Sequence, residues 1–243
     1  MSDKFSRTQM LFGESAMQKL KNSRVAVFGI GGVGGYAVEV LARSGVGYLD
    51  LIDNDKVSIT NINRQIYATT KTIGKYKVNV AKKRILEINP DVIVNVHKIF
   101  FLPETANQID FTKFDYIIDA IDTISGKIEL VLKAKEYNIP IISSMGAGNK
   151  VSPTMFQVGD IYETKICPIA KVMRRELKKR GIERLKIVYS TEPVIKPVGQ
   201  TVNEFEITKK RQTPGSVAFV PPVAGLILAG EVVKDLINYK KNF

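Results

Sequence analysis

The stretch RVAVFGIGGVGG at residues 24–35 leaves this chain few folds to choose from. Residues 25–28 are apolar, partly β-branched and bounded by glycine, which predicts a fully buried strand. Gly29, Gly31 and Gly34 then fit G-x-G-x-x-G, and YAVEVLARSG continues as a helix closed by Gly45. A turn without side chains brings backbone N–H groups against a phosphate at the helix N-terminus, where the dipole favours negative charge. A second apolar strand, 48–52, runs into Asp53, about twenty residues past the last glycine, the spacing at which a carboxylate takes both ribose hydroxyls. The same glycines could serve only to pack helix on sheet, but strand, turn, helix and acid in this order point to a nucleotide. Which nucleotide stays open on these residues.

The rest of the first 150 residues repeats the alternation. A polar arm, 1–13, carries Arg7 and is expected to fray, ahead of a short amphipathic helix at 14–20. After Asp53 a polar loop holds Asn61, Asn63, Arg64 and Gln65, and Val78, Ala81, Ile85 and Ile88 then fall at helical spacing up to Pro90. Strands are expected at 92–97, 115–122 and 140–143, with a turn at 103–108 and a helix at 124–137. A second glycine turn follows at 146–148. This order implies a doubly wound, Rossmann-like α/β fold with a mostly parallel sheet, whose ligands sit beyond the carboxyl ends of the strands. From residue 151 the pattern changes to a strand in MFQVGDIYET, a helix at 166–179, a strand at 186–191, a polar linker and a last helix at 223–239. Residues 1–150 thus form a nucleotide domain, and 151–243 an α/β extension packed on it.

Composition enters as a set of exclusions. One cysteine in 243 residues rules out an internal disulfide and a four-thiolate zinc site, and suits a reducing cytoplasm. No stretch approaches the roughly twenty apolar residues of a membrane span. The formal charge of +12 fits a polyanionic partner such as nucleic acid, or simply a basic surface; charge alone does not choose.

A dinucleotide-linked dehydrogenase would also show the glycines and Asp53, so the discriminating residues lie elsewhere. A pyrophosphate needs little beyond backbone N–H groups. A triphosphate with Mg²⁺ needs cations on the outer phosphates and a carboxylate for the metal, which Arg64, Lys77 and Asp122 could supply. Singly, each has an ordinary reading: a surface arginine, a solvated helix charge, the N-cap of the helix near Ile124. All three fall at strand ends or the crossovers beside them, which favours ATP.

The succession GIGGVGG, LIDNDKVSITNINRQ, GKYKVNVAKKRILEINP and IDAID resembles the adenylate-forming family of ubiquitin-activating enzymes and bacterial activators of sulfur-carrier proteins, over roughly residues 7–150. The resemblance implies that ATP is held by the glycine turn, including Gly32, and by Asp53, Asn61, Arg64, Lys77 and Asp122, the last linked to the metal. Asp55, Thr60, Gln65 and Thr123 complete the expected ATP-binding set. It further implies a homodimer in which Arg7 reaches the partner's ATP, so that Arg7, Arg64, Lys77 and Asp122 form the expected catalytic group.

The paired C-x-x-C zinc motifs common among sulfur-carrier activators are missing, since Cys167 stands alone. The segments SSMGAGNKVSPTMFQVGDIYET, PIAKVMRRELKKRGIE, VYSTEPVIKP and GSVAFVPPVAGLILAGEVV instead resemble the tRNA threonylcarbamoyladenosine dehydratase branch, over nearly the full length. That branch implies a tRNA substrate bearing threonylcarbamoyladenosine beside the anticodon. Around the basic run KVMRRELKKRGIERLK, a helix would turn Ile169, Val172, Met173 and Leu177 to the core, leaving Arg174, Arg175, Lys178 and Lys179 outward toward tRNA phosphates or toward water. Cys167, at a helix start, could serve a sulfur-transfer partner or be incidental. His97, the only histidine, is read as structural. Adenylation of a ubiquitin-like carrier's C-terminus and a non-catalytic, nucleotide-responsive tRNA-binding module stand as alternatives.

Overall fold

A computed structural model describes residues 3–198 and 214–239. The first five strands, β1 (Arg24–Phe28), β2 (Tyr48–Ile52), β3 (Ile93–His97), β4 (Tyr116–Asp119) and β5 (Ile141–Ser144), run parallel. Two more, β6 (Phe156–Asp160) and β7 (Lys186–Ser190), continue the same sheet in the order β3-β2-β1-β4-β5-β7-β6. β7 is parallel to β5, and β6 closes the edge antiparallel to β7.

Around the sheet lie α1 (Ser6–Phe12), α2 (Glu14–Asn22), α3 (Gly34–Arg43), α4 (Lys77–Ile88), α5 (Ile124–Glu136), α6 (Pro168–Lys179) and α7 (Pro221–Leu236). β1 lies between β2 and β4, and its side chains alternate between two cores. Val25 and Val27 enter the layer shared with α3, α4 and α7, whereas Ala26 and Phe28 enter the layer under α5. There Phe28 meets Phe101 edge-on at 4.9 Å and stacks on Phe111 at 6.1 Å. Full burial of such a side chain contributes about 2–3 kcal/mol.

Two glycine contacts set the geometry of the coming site. A Cβ on Gly34 would collide with the Gly29 carbonyl, and one on Gly29, whose φ is +88°, would lie 2.6 Å from the Ala120 carbonyl. The turn after β1 is therefore closed on itself and pressed against the chain leaving β4. At Gly225 a Cβ would strike the Val33 carbonyl, so α7 crosses α3 with backbones nearly touching, which brings Pro221 beside Gly32.

Some expectations need correction. The arm expected to fray is helical: Ser6 bonds the Asp3 amide at 2.8 Å, Lys4 pairs with Asp91 at 2.5 Å, and Phe5 lies against Gly45. The turn at 103–108 is a 3₁₀ helix. The strand expected at 115–122 ends at Asp119, because residues 120–123 leave the ladder to line the site. The polar linker after β7 lies partly outside the described residues. No described helix is long and apolar enough to cross a membrane.

Candidate active site

The carboxyl ends of β1, β2, β3, β4 and β5 open into one cavity of about 390 Å³. It brings together Gly29, Gly31, Gly32, Asp53, Asp55, Asn61, Arg64, Gln65, Lys77, Asp122 and Thr123. Two wider cavities, about 660 and 780 Å³, open at the amino ends of the strands around Tyr116, Lys186 and Asp235. Neither is lined by the glycine turn after β1 or by the candidate residues, which belong to the smaller one.

Asp53 holds its place by two backbone bonds: the Ile30 amide donates to Oδ2 and the Asp55 amide to Oδ1, each at 2.7 Å. Each oxygen keeps a lone pair for a further donor, so a ribose diol can be accepted without dismantling the turn. Burial pushes the Asp53 carboxyl above the ordinary range, against the opposing pull of Lys77. Lys77 is itself buried at the start of α4, with Nζ 2.6 Å from Asp55 and 4.0 Å from Asp53. The Asp55 side chain is 61% exposed, so this pair sits at the mouth of the cavity.

Arg64 comes from the loop after the short 3₁₀ helix Ile59–Asn61. Its Nη1 donates to the Thr60 carbonyl at 2.9 Å and to Asn63 Oδ1 at 2.8 Å, which fixes the guanidinium, while the stem of the side chain lies beside Gly32. Asn61 Oδ1 accepts from the Ser58 amide at 3.1 Å, and Gln65 is buried beside Gly31. Asp122 is exposed to the cavity. It is not the N-cap of α5, since Thr123 holds that position and makes no side-chain cap bond. The Thr123 hydroxyl reaches Asp122 only at 3.4 Å. A carboxylate left uncommitted beside a phosphate turn fits Mg²⁺, which commonly takes one or two protein carboxylates together with phosphate oxygens.

Three expected residues lie elsewhere. Gly34 underlies the turn rather than lining the cavity, and Thr60 contributes through its carbonyl to Arg64. Arg7 is exposed on α1, which packs at the amino ends of β2 and β3 beside Tyr48 and Ile93, opposite the cavity of its own chain. On α6, Arg175, Lys178 and Lys179 are exposed, while Arg174 is half-buried and donates to the Thr164 hydroxyl. Glu176 pairs with Arg180 at 2.9 Å, Arg175 at 3.1 Å and Lys179 at 3.3 Å, interactions that hold its carboxyl down at about 2. Cys167 is buried, and His97 Nε2 lies 2.9 Å from Asp50, which Arg24 also grips.

Two features were missed in the sequence. Lys127, on α5, is bidentate to Asp119 at the end of β4, both distances 2.9 Å, and both side chains are buried. The wall facing the glycine turn comes from residues 214–216 and Pro221. Asn149 clasps that wall by accepting from the Gly215 amide at 2.6 Å and donating its own amide to Gly215 at 2.8 Å, and Asn63 donates to Ser216 at 2.9 Å. The glycine turn at 146–148 signalled part of this; nothing local pointed to residues 214–216.

Comparison with known proteins gives a consistent answer. The model of the ThiF family matches residues 5–243. The tRNA threonylcarbamoyladenosine dehydratase of Bacillus subtilis is 47% identical over 98% of this chain and 96% of its own. Crystal structures of the Escherichia coli tRNA N6-threonylcarbamoyladenosine dehydratase, TcdA, superpose with a TM-score of 0.87 in complex with AMP and 0.86 in complex with ATP. Their identities are 32% and 33%, and each comparison covers 97% of this chain and 94% of the other.

Proposed function

The chain belongs to the ThiF family, and on that premise we propose that it is an ATP-dependent tRNA threonylcarbamoyladenosine dehydratase. The observation that carries this reading is the meeting of a glycine turn, a ribose-binding acid, two cations and an uncommitted carboxylate in one cavity, which is more than a dinucleotide requires. The likeness in sequence and shape to dehydratases, one of them seen with ATP, supports it further.

In this reading the backbone of the glycine turn and the N-terminus of α3 hold phosphate, Asp53 holds the ribose, and Arg64 and Lys77 flank the phosphates. The threonylcarbamoyl carboxylate is a poor electrophile because its leaving group would be oxide. One of its oxygens attacks the α-phosphorus of ATP; the bond to the bridging oxygen breaks and pyrophosphate leaves, giving an acyl-adenylate. An atom of the neighbouring ureido group then attacks the acyl carbon, its proton passes to solvent, and AMP leaves as the ring closes. The net change is the loss of one water from the nucleoside. Arg64 and Lys77 neutralise charge that develops on the phosphoryl oxygens, the kind of interaction that supplies about 10²–10³ in rate for each well-aimed donor. Asp122 would hold Mg²⁺, which supplies charge neutralisation on the phosphates when bound. Arg7, remote from its own cavity, is assigned to the site of a second copy in a homodimer. Residues 1–150 supply the side chains assigned to adenylation, and residues 214–216 with Pro221 close the cavity wall opposite the glycine turn. Residues 151–243 carry part of the tRNA contact, through Arg175, Lys178 and Lys179, with Arg174 behind them.

The test is ATP consumption by the purified protein with Mg²⁺, comparing tRNA that bears threonylcarbamoyladenosine with the same tRNA lacking it. AMP release and a nucleoside lighter by one water, only with the modified tRNA, are expected. Asp122→Ala should lower kcat by about 10²–10³. Turnover that instead requires a ubiquitin-like carrier protein would replace this reading with carrier adenylation.

A further inference from the structure

Beside the cavity, on the side of β2 and β3, two lysines share one aromatic ring. Lys98 Nζ lies 4.6 Å and Lys56 Nζ 5.2 Å from the centroid of Tyr76. Both lysines are exposed, and neither makes an ion pair among the described residues. The acid nearest in sequence, Asp55, is already paired with Lys77. With two ammonium groups against one ring and no ion pair to either among the described residues, positive charge is concentrated there, and an anion arriving beside the ring would be favoured.

The position of the trio narrows the identity of that anion. Lys56 directly follows Asp55, Tyr76 directly precedes Lys77, and Lys98 directly precedes Ile99; Asp55, Lys77 and Ile99 all line the nucleotide cavity, while the trio does not. The trio therefore forms the outer rim of the site. Local backbone fixes it, since Lys56 and Tyr76 are joined by an antiparallel bridge and Lys98 follows the last residue of β3. Next to Lys98 and Ile99, Phe100 reaches the cavity with half of its surface exposed. Cations, an aromatic ring and an exposed apolar aromatic in a row suit single-stranded nucleic acid, whose phosphates meet the cations and whose splayed bases stack on the rings.

We propose that Lys56, Lys98 and Tyr76 bind the sugar–phosphate backbone of the substrate's anticodon loop, with Phe100 beneath a splayed base, and so aim the modified adenosine at the cavity. The inference rests on the tRNA reading above and specifies a contact that reading leaves open. It places a grip on the β2–β3 side of the cavity, separate from α6. There the positive charge is already partly met by Glu176, whereas at the rim it is not.

The experiment uses the full-length protein as wild type, Lys56→Gln/Lys98→Gln and Lys56→Arg/Lys98→Arg. Binding of unmodified tRNA is read by fluorescence anisotropy over a salt series, and ATP binding is read separately without RNA. Removing two phosphate contacts should weaken tRNA binding about tenfold and flatten the log–log salt slope by about 1.4, at roughly 0.7 for each single-strand contact. The arginine pair should retain wild-type affinity, and ATP affinity should be the same in all three proteins. With the modified tRNA, the glutamine pair should raise KM for tRNA and leave kcat unchanged at saturation. Unaltered tRNA affinity and slope in the glutamine pair would overturn the proposal, as would a loss confined to ATP. Because binding is measured on unmodified tRNA, the rim is judged even if wild-type protein fails to turn over the modified substrate, a result that would sink the dehydratase reading instead.

Discussion

Replacing Lys127 with Met tests whether the β4–α5 corner depends on its buried ion pair. Lys127 is 1% exposed and Asp119 0%, and Nζ reaches both carboxylate oxygens at 2.9 Å. Methionine keeps most of the stem's volume but removes the ammonium. Asp119 is then left buried with only the Ile121 amide, at 3.3 Å, against its charge. Breaking a buried pair from one side costs about 3–5 kcal/mol, because the remaining ion stays desolvated without compensation. In a protein this long each kcal/mol shifts Tm by about 2–4 °C, so Lys127→Met should lower Tm by roughly 6–20 °C. Asp119→Asn/Lys127→Met removes both charges and should recover at least about 2 kcal/mol of that loss, which makes the two substitutions non-additive. Urea and thermal unfolding of both single variants, the double variant and wild type give the cycle. A cost below about 1 kcal/mol for Lys127→Met, or a double variant no more stable than the two single losses added together, would refute the role given to the buried pair. Asp119 also braces Ile121, next to Asp122, so kcat should fall further than the remaining folded fraction accounts for.

Other outcomes follow from the same geometry. Gly34→Ala should prevent the phosphate turn from closing, since its Cβ would meet backbone that cannot yield; calorimetric titration should find ATP binding lost and stability lower by about 1–3 kcal/mol or more. If Arg7 acts on a partner's ATP, an equal mixture of inactive Arg7→Ala and Arg64→Ala chains, allowed to exchange subunits, should regain about a quarter of wild-type activity, because half of the dimers then hold one intact site; no regain would place Arg7 outside the reaction. Burial alone would raise the Asp50 carboxyl, but hydrogen bonds from His97 and Arg24 outweigh it and hold the group below its ordinary range. A lowered folded-state value gives stability that is complete above the unfolded value and lost as pH falls through the folded one. The Tm difference between wild type and Asp50→Asn should therefore be full at neutral pH and shrink once pH drops below about 4; a difference constant down to pH 2 would refute the assignment.

What could be seen in the sequence was what is local or periodic. Residues 25–28 announce a buried strand, and Gly29, Gly31 and Asp53 announce the nucleotide turn, because each signal is complete within one βαβ unit. The antiparallel β6 was less visible. Strand direction is decided by which edge is left unpaired after β7 joins β5, and the alternation within MFQVGDIYET does not encode that. Lys127 and Asp119 were hidden for a different reason. A lysine in a helix reads as solvated unless a facing acid is known, and the two meet only once α5 lies against β4. Arg64 could be named from its loop and Lys77 from the helix start, but Pro214, Gly215 and Ser216 could not, since a polar stretch says nothing about the distant Asn63 and Asn149 that hold it.

The crossing of α7 over α3 bears on how the chain comes into being on a ribosome. α3 is made early and α7 last among the described helices, yet the apolar side of α3 is covered by α7, and Pro221 completes the wall opposite the glycine turn. A nascent chain that has reached β7 can already hold the parallel strands together, but it presents an uncovered apolar helix and a phosphate turn with one side open. Exposed apolar surface of that kind is what makes partly made chains prone to aggregate. If the cavity takes ATP, a fragment truncated before α7 should bind it more weakly than the full chain, because the wall opposite the glycine turn is missing.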